Sequence, residues 1–184
     1  LGQEASAEAI ANLRRSLGLD QPWYVQLGRY FGNLLQGDMG MSIFQNQPVA
    51  AIIWSRLGAT VELAIAAMII ATVIGVVLGV LAAMWQGSWI DTLTMLFAQL
   101  GVSMPVYWLA LLLMLLFAVQ LGWLPSIGRG PPMTVALADL MRGDAATMHR
   151  TLSHLLLPAV ALAANSAAVI SRLTRASMLE VLRE

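Results

Sequence analysis

V-E-L-A-I-A-A-M-I-I-A-T-V-I-G-V-V-L-G-V-L-A-A-M-W, residues 61–85, holds one ionisable side chain, Glu62, and the next in the chain is Asp91. A helix of about 22 residues is roughly 33 Å long, close to the ~30 Å hydrocarbon core of a bilayer. A backbone in lipid must satisfy its own hydrogen bonds, so this stretch predicts a membrane-spanning helix. Ala67, Ala71, Gly75, Gly79 and Ala83 recur at every fourth position. They form a shallow groove on one face, where a neighbouring backbone can approach closely. The helix is therefore expected to sit against other helices through these five residues.

Composition agrees with a bilayer setting. The chain is 59% apolar and only 11% charged, where soluble domains carry about 25% charged residues. All ten basic residues are arginine and the formal net charge is zero, so no bulk charge favours nucleic acid. Cysteine is absent, which excludes disulfides and thiolate metal sites within these residues. The opening Leu1 and the polar helical run at Arg175–Glu184 read as the middle of a longer protein.

Working outward toward the N-terminus, residues 1–20 predict a short amphipathic helix capped by Ser6 and ended by Gly18. Asp20 and Pro22 start a second helix bearing Trp23, Tyr24, Leu27, Tyr30, Phe31, Leu34 and Leu35. Its aromatic side suits either a membrane interface or the protein's own core. Gly37-Asp38-Met39-Gly40 predicts a turn. Pro48–Arg56 predicts a third amphipathic helix that Gly58 breaks, after which Thr60 caps the first span. Glu62 then falls in a first helical turn, where the helix dipole favours an anion; capping is preferred over ligand binding for it.

Toward the C-terminus, Gln86–Asp91 predicts a tight polar connection, and Thr92–Ile127 carries no charge over about 36 residues. That is too long for one straight span, so a helix is placed at about 92–120 with a kink near Ser103-Met104-Pro105. Residues 121–150 predict a loop with a short surface helix from Thr134 to Met141. A third span is expected from Thr151 to Arg172, with Pro158 and the polar trio Asn165, Ser166 and Ser171 inside it. Polar groups at that depth face a bundle interior, a water-filled path or a neighbouring helix. Arginine counting does not fix orientation: 86–91 has none, while 1–58 and 121–150 together hold seven.

Much chemistry is missing. Without lysine no phosphate-binding GxxxxGK[ST] loop can exist. No Ser-His-Asp constellation, HExxH motif or carboxylate dyad stands out, and His149 and His154 have no third ligand nearby, so no metal or cofactor is expected. Almost no ionisable group lies at membrane depth, which argues against proton coupling. Small residues, kinks and mild polar groups suit a conduit powered by another subunit.

Eight stretches now fall in a familiar order: LGLDQPW (17–23), GNLLQGDMGMS (32–42), TVELA (60–64), GVVLGVLAA (75–83), GSWID (87–91), LGWLP (121–125), LSHLLLPA (152–159) and SRLTRASMLEVLRE (171–184). In them the whole chain resembles the inner-membrane permeases of bacterial ABC importers for dipeptides, oligopeptides, glutathione or nickel, closest to the first permease of the pair. The resemblance implies an all-α, polytopic transmembrane bundle, part of the six-helix ABC importer type I permease fold, in a bacterial inner membrane. It implies a periplasmic segment over 1–58 and a permease domain over 59–184, with spans at about 60–85, 92–120 and 151–172 (the second, third and fourth) and a periplasmic loop over 121–150. Implied partners are a second permease, two cytoplasmic ABC ATPases, a periplasmic substrate-binding protein and the lipid bilayer, with ATP hydrolysis left to the ATPases. Arg172, Arg175, Ser177, Glu180 and Glu184 match the run leading into the ATPase-coupling loop. Asp20–Ser42 matches the periplasmic dock for the binding protein. Ser103, Asn165 and Ser166 are the candidates for the substrate path. An ion-gradient-driven carrier and a non-conducting structural subunit are the competing readings.

Overall fold

Every named element in the computed structural model, which describes residues 19–182, is a helix. The helix expected over 1–20 lies almost wholly outside the described residues, as do Arg183 and Glu184. Six helices follow in order: α1 (Trp23–Leu35), α2 (Val49–Met84), α3 (Trp89–Ser103), α4 (Val106–Leu113), α5 (Met133–Met141) and α6 (Ala146–Val181). The chain divides into two units, Leu1–Leu57 and Gly58–Glu184.

In the first unit α1 opens at Pro22, whose carbonyl accepts from the Val25 and Gln26 amides at 3.0 and 3.2 Å. Proline is well placed at a helix start because its missing N–H would be unpaired there. Gly37 and Gly40 take φ of +82° and +76°, which turns the chain after α1. The next loop closes on itself: Ser42 N–H donates to Gln47 O at 2.9 Å and Val49 N–H to Gly40 O at 2.9 Å. Trp23, Tyr24, Tyr30 and Phe31 are exposed.

In the second unit α6 is the central element, packed on α3, α4 and α5 and meeting α2 at Gly75 and Gly79. Two helices, α2 and α6, are long and apolar enough to cross a membrane, and α3 with α4 makes a third if that bent pair is one span. Their outer faces stay apolar: Met68, Ile69, Val73 and Val77 on α2 and Leu162, Val169 and Leu173 on α6 are exposed. Large unpartnered apolar faces at this scale belong in lipid or against further helices. This is a membrane protein.

Two expectations are corrected. Gly58 does not break the chain: α2 runs unbroken from Val49 to Met84, so Thr60 and Glu62 sit inside the helix and neither caps it. One glycine costs a helix only about 1 kcal/mol relative to alanine, which 36 residues absorb. Nor is there a mild kink near Pro105. The axis turns by 110° between α3 and α4. Met104 before the proline is extended, at φ −84° and ψ 129°, as proline forces on its predecessor. Pro158, by contrast, lies within a continuous helix as expected: α6, Ala146–Val181, contains the 151–172 stretch.

Beyond α4 the helix widens into a π turn over Met114–Gln120. The Leu121 amide there donates to Leu116 O at 3.0 Å, and Trp123 N–H to Phe117 O at 2.9 Å. Gly122, at φ +64°, then turns the chain out.

Candidate functional site

The groove residues of α2 come first, because they set the spacing of everything else. Ala67, Ala71, Gly75, Gly79 and Ala83 are all buried. A Cβ at Gly75 would lie 2.8 Å from the Ala167 carbonyl oxygen and 2.7 Å from Ile170 Cβ. At Gly79 it would lie 2.7 Å from the Ser171 carbonyl oxygen and 2.6 Å from Thr174 Cβ. Two successive turns of α6 thus press their backbone onto two successive glycines of α2, a contact that only a residue without a side chain permits. Gly101 does the same for α3, with the Ala164 carbonyl 2.9 Å from its virtual Cβ. Alanines 163, 167 and 71 fill the space between.

That packing sorts the polar trio of α6. Ser171 is fully buried in the seam and its Oγ has no hydrogen-bond partner, so its small size is what the seam uses. Asn165 and Ser166 lie on the exposed side of the helix. Ser103, at the end of α3, is exposed as well, its Oγ 3.4 Å from Gln99 Nε2. Among the described residues no hydrogen bond joins Ser103 to Asn165 or Ser166. What the three share is exposure, not contact.

Each end of the seam carries an ion pair between distant parts of the chain. At one, Glu62 accepts from the Met133 amide at 2.9 Å and from Arg129 Nη2 at 3.2 Å. Met133 is the first residue of α5, so Glu62 satisfies a free amide at that helix start and adds a favourable charge. Its anion serves the helix dipole of α5 rather than of its own helix. Thr151 Oγ1 donates to Pro131 O at 2.9 Å beside it, and Gly130 sits where a Cβ would meet Thr151 Cα at 2.9 Å. Glu62, Arg129, Thr151, His154 and Pro158 line a cavity of about 230 Å³.

At the other end, Arg175 Nε donates to Asp91 Oδ1 and its Nη2 to Asp91 Oδ2, both at 2.7 Å. This is a two-pronged, charge-assisted contact, the strongest geometry available to such a pair. The Asp91 and Arg175 side chains are 9% and 27% exposed, so water reaches the pair chiefly from the arginine side. Gly87 N–H also donates to Asp91 Oδ2 at 3.0 Å, and Ser88 caps α3. Sequence reading singled out Arg175 but gave Asp91 no role. The available signal was that Asp91 is the first charge after the apolar run and that α6 regains its charges at Arg172 and Arg175. Arg172, Ser177 and Glu180 are exposed along the same end of α6.

No cluster of three metal-ligating side chains occurs among the described residues. The arrangement offers packing seams, a broken helix and terminal ion pairs.

Comparison with known proteins adds the family. Residues 75–184 match the family described as "Binding-protein-dependent transport system inner membrane component". The whole chain is 44% identical to a dipeptide transport system permease, DppB, of Alkalihalophilus pseudofirmus, covering 57% of that protein. It is 40% identical to a glutathione transport system permease, GsiC, of Escherichia coli K12, and 41% identical to the GsiC of Salmonella paratyphi A, covering 53% of each. The chain spans about half the length of the curated relatives it matches. With an apolar helical bundle, a glycine seam and a matched segment running from Gly75 through α6, the chain belongs to the inner-membrane components of binding-protein-dependent transport systems.

Proposed function

We propose that this chain is part of the permease subunit of a bacterial ABC importer, paired with a second permease in the inner membrane to form a path for dipeptides or oligopeptides, or for related solutes such as glutathione or nickel. Full-chain similarity to a dipeptide permease carries the reading. Two cytoplasmic ATPases supply the energy and a periplasmic binding protein delivers the substrate; the permease itself breaks no bond. The scarcity of ionisable groups along the spans supports a conduit driven from outside itself.

Ser103, Asn165 and Ser166 are proposed for the path, their exposed polar groups being free to meet a solute or a facing helix. Arg172, Arg175, Ser177, Glu180 and Glu184 are proposed to approach the ATPases, and Asp20–Ser42 to receive the binding protein. The spans proposed for the bilayer are about 60–85, 92–120 and 151–172, with 1–58 and 121–150 outside. A second reading, an ion-gradient-driven carrier, draws on the 110° break between α3 and α4, since such carriers bind at discontinuous helices.

One experiment separates them. The full-length permease, with its partner permease, ATPases and binding protein, is reconstituted in proteoliposomes and given labelled dialanine. ATP-dependent, vanadate-sensitive uptake that requires the binding protein is expected. Uptake that follows an ion gradient and ignores vanadate would replace the first reading with the second.

A further inference from the structure

We propose that Asp91 is a positioning residue: by gripping Arg175 it makes the α2–α3 turn and the last turns of α6 one mechanical piece, so that displacement of the end of α6 is carried into α2 and α3. The proposal rests on the reading above that this end of α6 faces the ATPases.

The geometry is specific. Both guanidinium contacts are 2.7 Å, and each uses a different carboxylate oxygen. A planar two-point contact fixes orientation as well as distance, which a single-point contact does not. The carboxylate is itself held. Gly87 N–H donates to it at 3.0 Å, and Gly87 reaches that position through a left-handed turn at φ +77°. Ser88 ties the same turn back to α2, its Oγ donating to Trp85 O at 2.6 Å. On the α6 side, Thr174 beside Arg175 already presses on Gly79 of α2. The end of α6 is thus fastened at two independent points, to α2 by close packing and to α3 by charge. Close packing holds α6 on α2; the forked ion pair adds a fixed distance and orientation between α6 and α3. Arg172, one turn earlier, is exposed.

A merely stabilising ion pair and a motion-transmitting one differ in one measurable ratio, dialanine transported per ATP hydrolysed. In the reconstituted complex, D91N is expected to assemble, to keep hydrolysing ATP and to lose roughly fivefold in that ratio, the size of change typical of substitutions along a coupling route. D91E, which keeps the carboxylate, should recover part of it. R175K keeps the charge but not the fork, and should fall between wild type and D91N. If D91N assembles with the wild-type ratio, the proposal is wrong. If D91N does not assemble, R175K decides: a lowered ratio supports the proposal, and a wild-type ratio or a second failure to assemble reduces the pair to a fold-holding contact. Should wild type itself show no ATP-driven uptake, the transport reading falls; should wild type transport while the variants match it, only the role of Asp91 falls.

Discussion

Among single residues, two glycines of one helix have opposite jobs. Gly79 lies against backbone: an added methyl would stand 2.7 Å from the Ser171 carbonyl and 2.6 Å from Thr174 Cβ. Neither can move without shifting α6, so Gly79→Ala should destabilise the bundle by about 1–3 kcal/mol, the usual cost of overpacking. Gly58, on the same helix, has open space around it. There Gly58→Ala should stabilise by about 0.4–1 kcal/mol, because alanine loses less chain entropy on entering a helix. Melting temperatures of the two variants in detergent should move in opposite directions from wild type, and equal shifts would contradict the seam. The fourfold spacing of small residues made the seam residues visible in the sequence, since it needs only helical periodicity. The partner did not show, because nothing in α2 says which helix will press on it. Ser171 illustrates the same limit: its place beside Asn165 and Ser166 gave it the same apparent chemistry, and only the seam distinguishes a buried hydroxyl from two exposed groups.

For the elements, the question is which breakers break. Gly58 and Pro158 lie inside continuous helices, while Pro105 separates two that diverge by 110°. Three leucines precede Pro158, whereas Gly101, Val102, Ser103 and Met104 precede Pro105. Glycine, valine and serine are weak helix formers and leucine a strong one, so the proline penalty of about 3 kcal/mol is decisive at Pro105 and absorbed at Pro158. Counting proline alone therefore found the place of the bend but not its size. Glu62 is a related case: the sequence put it in the first turn of its own helix, whereas the helix start it meets is that of α5, about 70 residues away, as the Met133 contact indicates. If proline sets the break, Pro105→Ala should let α3 continue toward α4. Spin labels at the exposed positions Leu96 and Leu111 would then shift toward the ~22 Å separation of an unbroken helix, from a shorter wild-type distance. An unchanged distance distribution would mean that packing of α4 on α6, rather than the proline, holds the angle.

At the scale of the whole permease unit, sidedness follows from which segments the ion pairs gather at each end. Arginine counting could not decide it, because most arginines lie in the segments proposed for the outside. The structure supplies a stronger constraint by grouping segments. Asp91 and Arg175 bring the α2–α3 turn together with the last turns of α6. Glu62, Arg129 and Met133 gather the stretch before α5 beside the earlier part of α2. Whatever face of the membrane one group occupies, the other must take the opposite face, since about 22 residues of α2 separate Glu62 from Met84 and span roughly 33 Å. The proposed reading puts the α2–α3 turn and the end of α6 inside, and the 121–133 stretch and α5 outside. The 184 residues contain no cysteine, so single introduced thiols can report this directly. Ile127, Met141 and Trp89 are 87%, 91% and 71% exposed, and cysteine at any of them should leave the packing intact. In cells with a permeabilised outer membrane, Ile127→Cys and Met141→Cys should react with a membrane-impermeant maleimide at once, and Trp89→Cys only after the inner membrane is opened. The reverse pattern would invert the molecule and place the Asp91–Arg175 pair on the side away from any cytoplasmic ATPase. Labelling of all three from outside would remove α2 from the bilayer altogether.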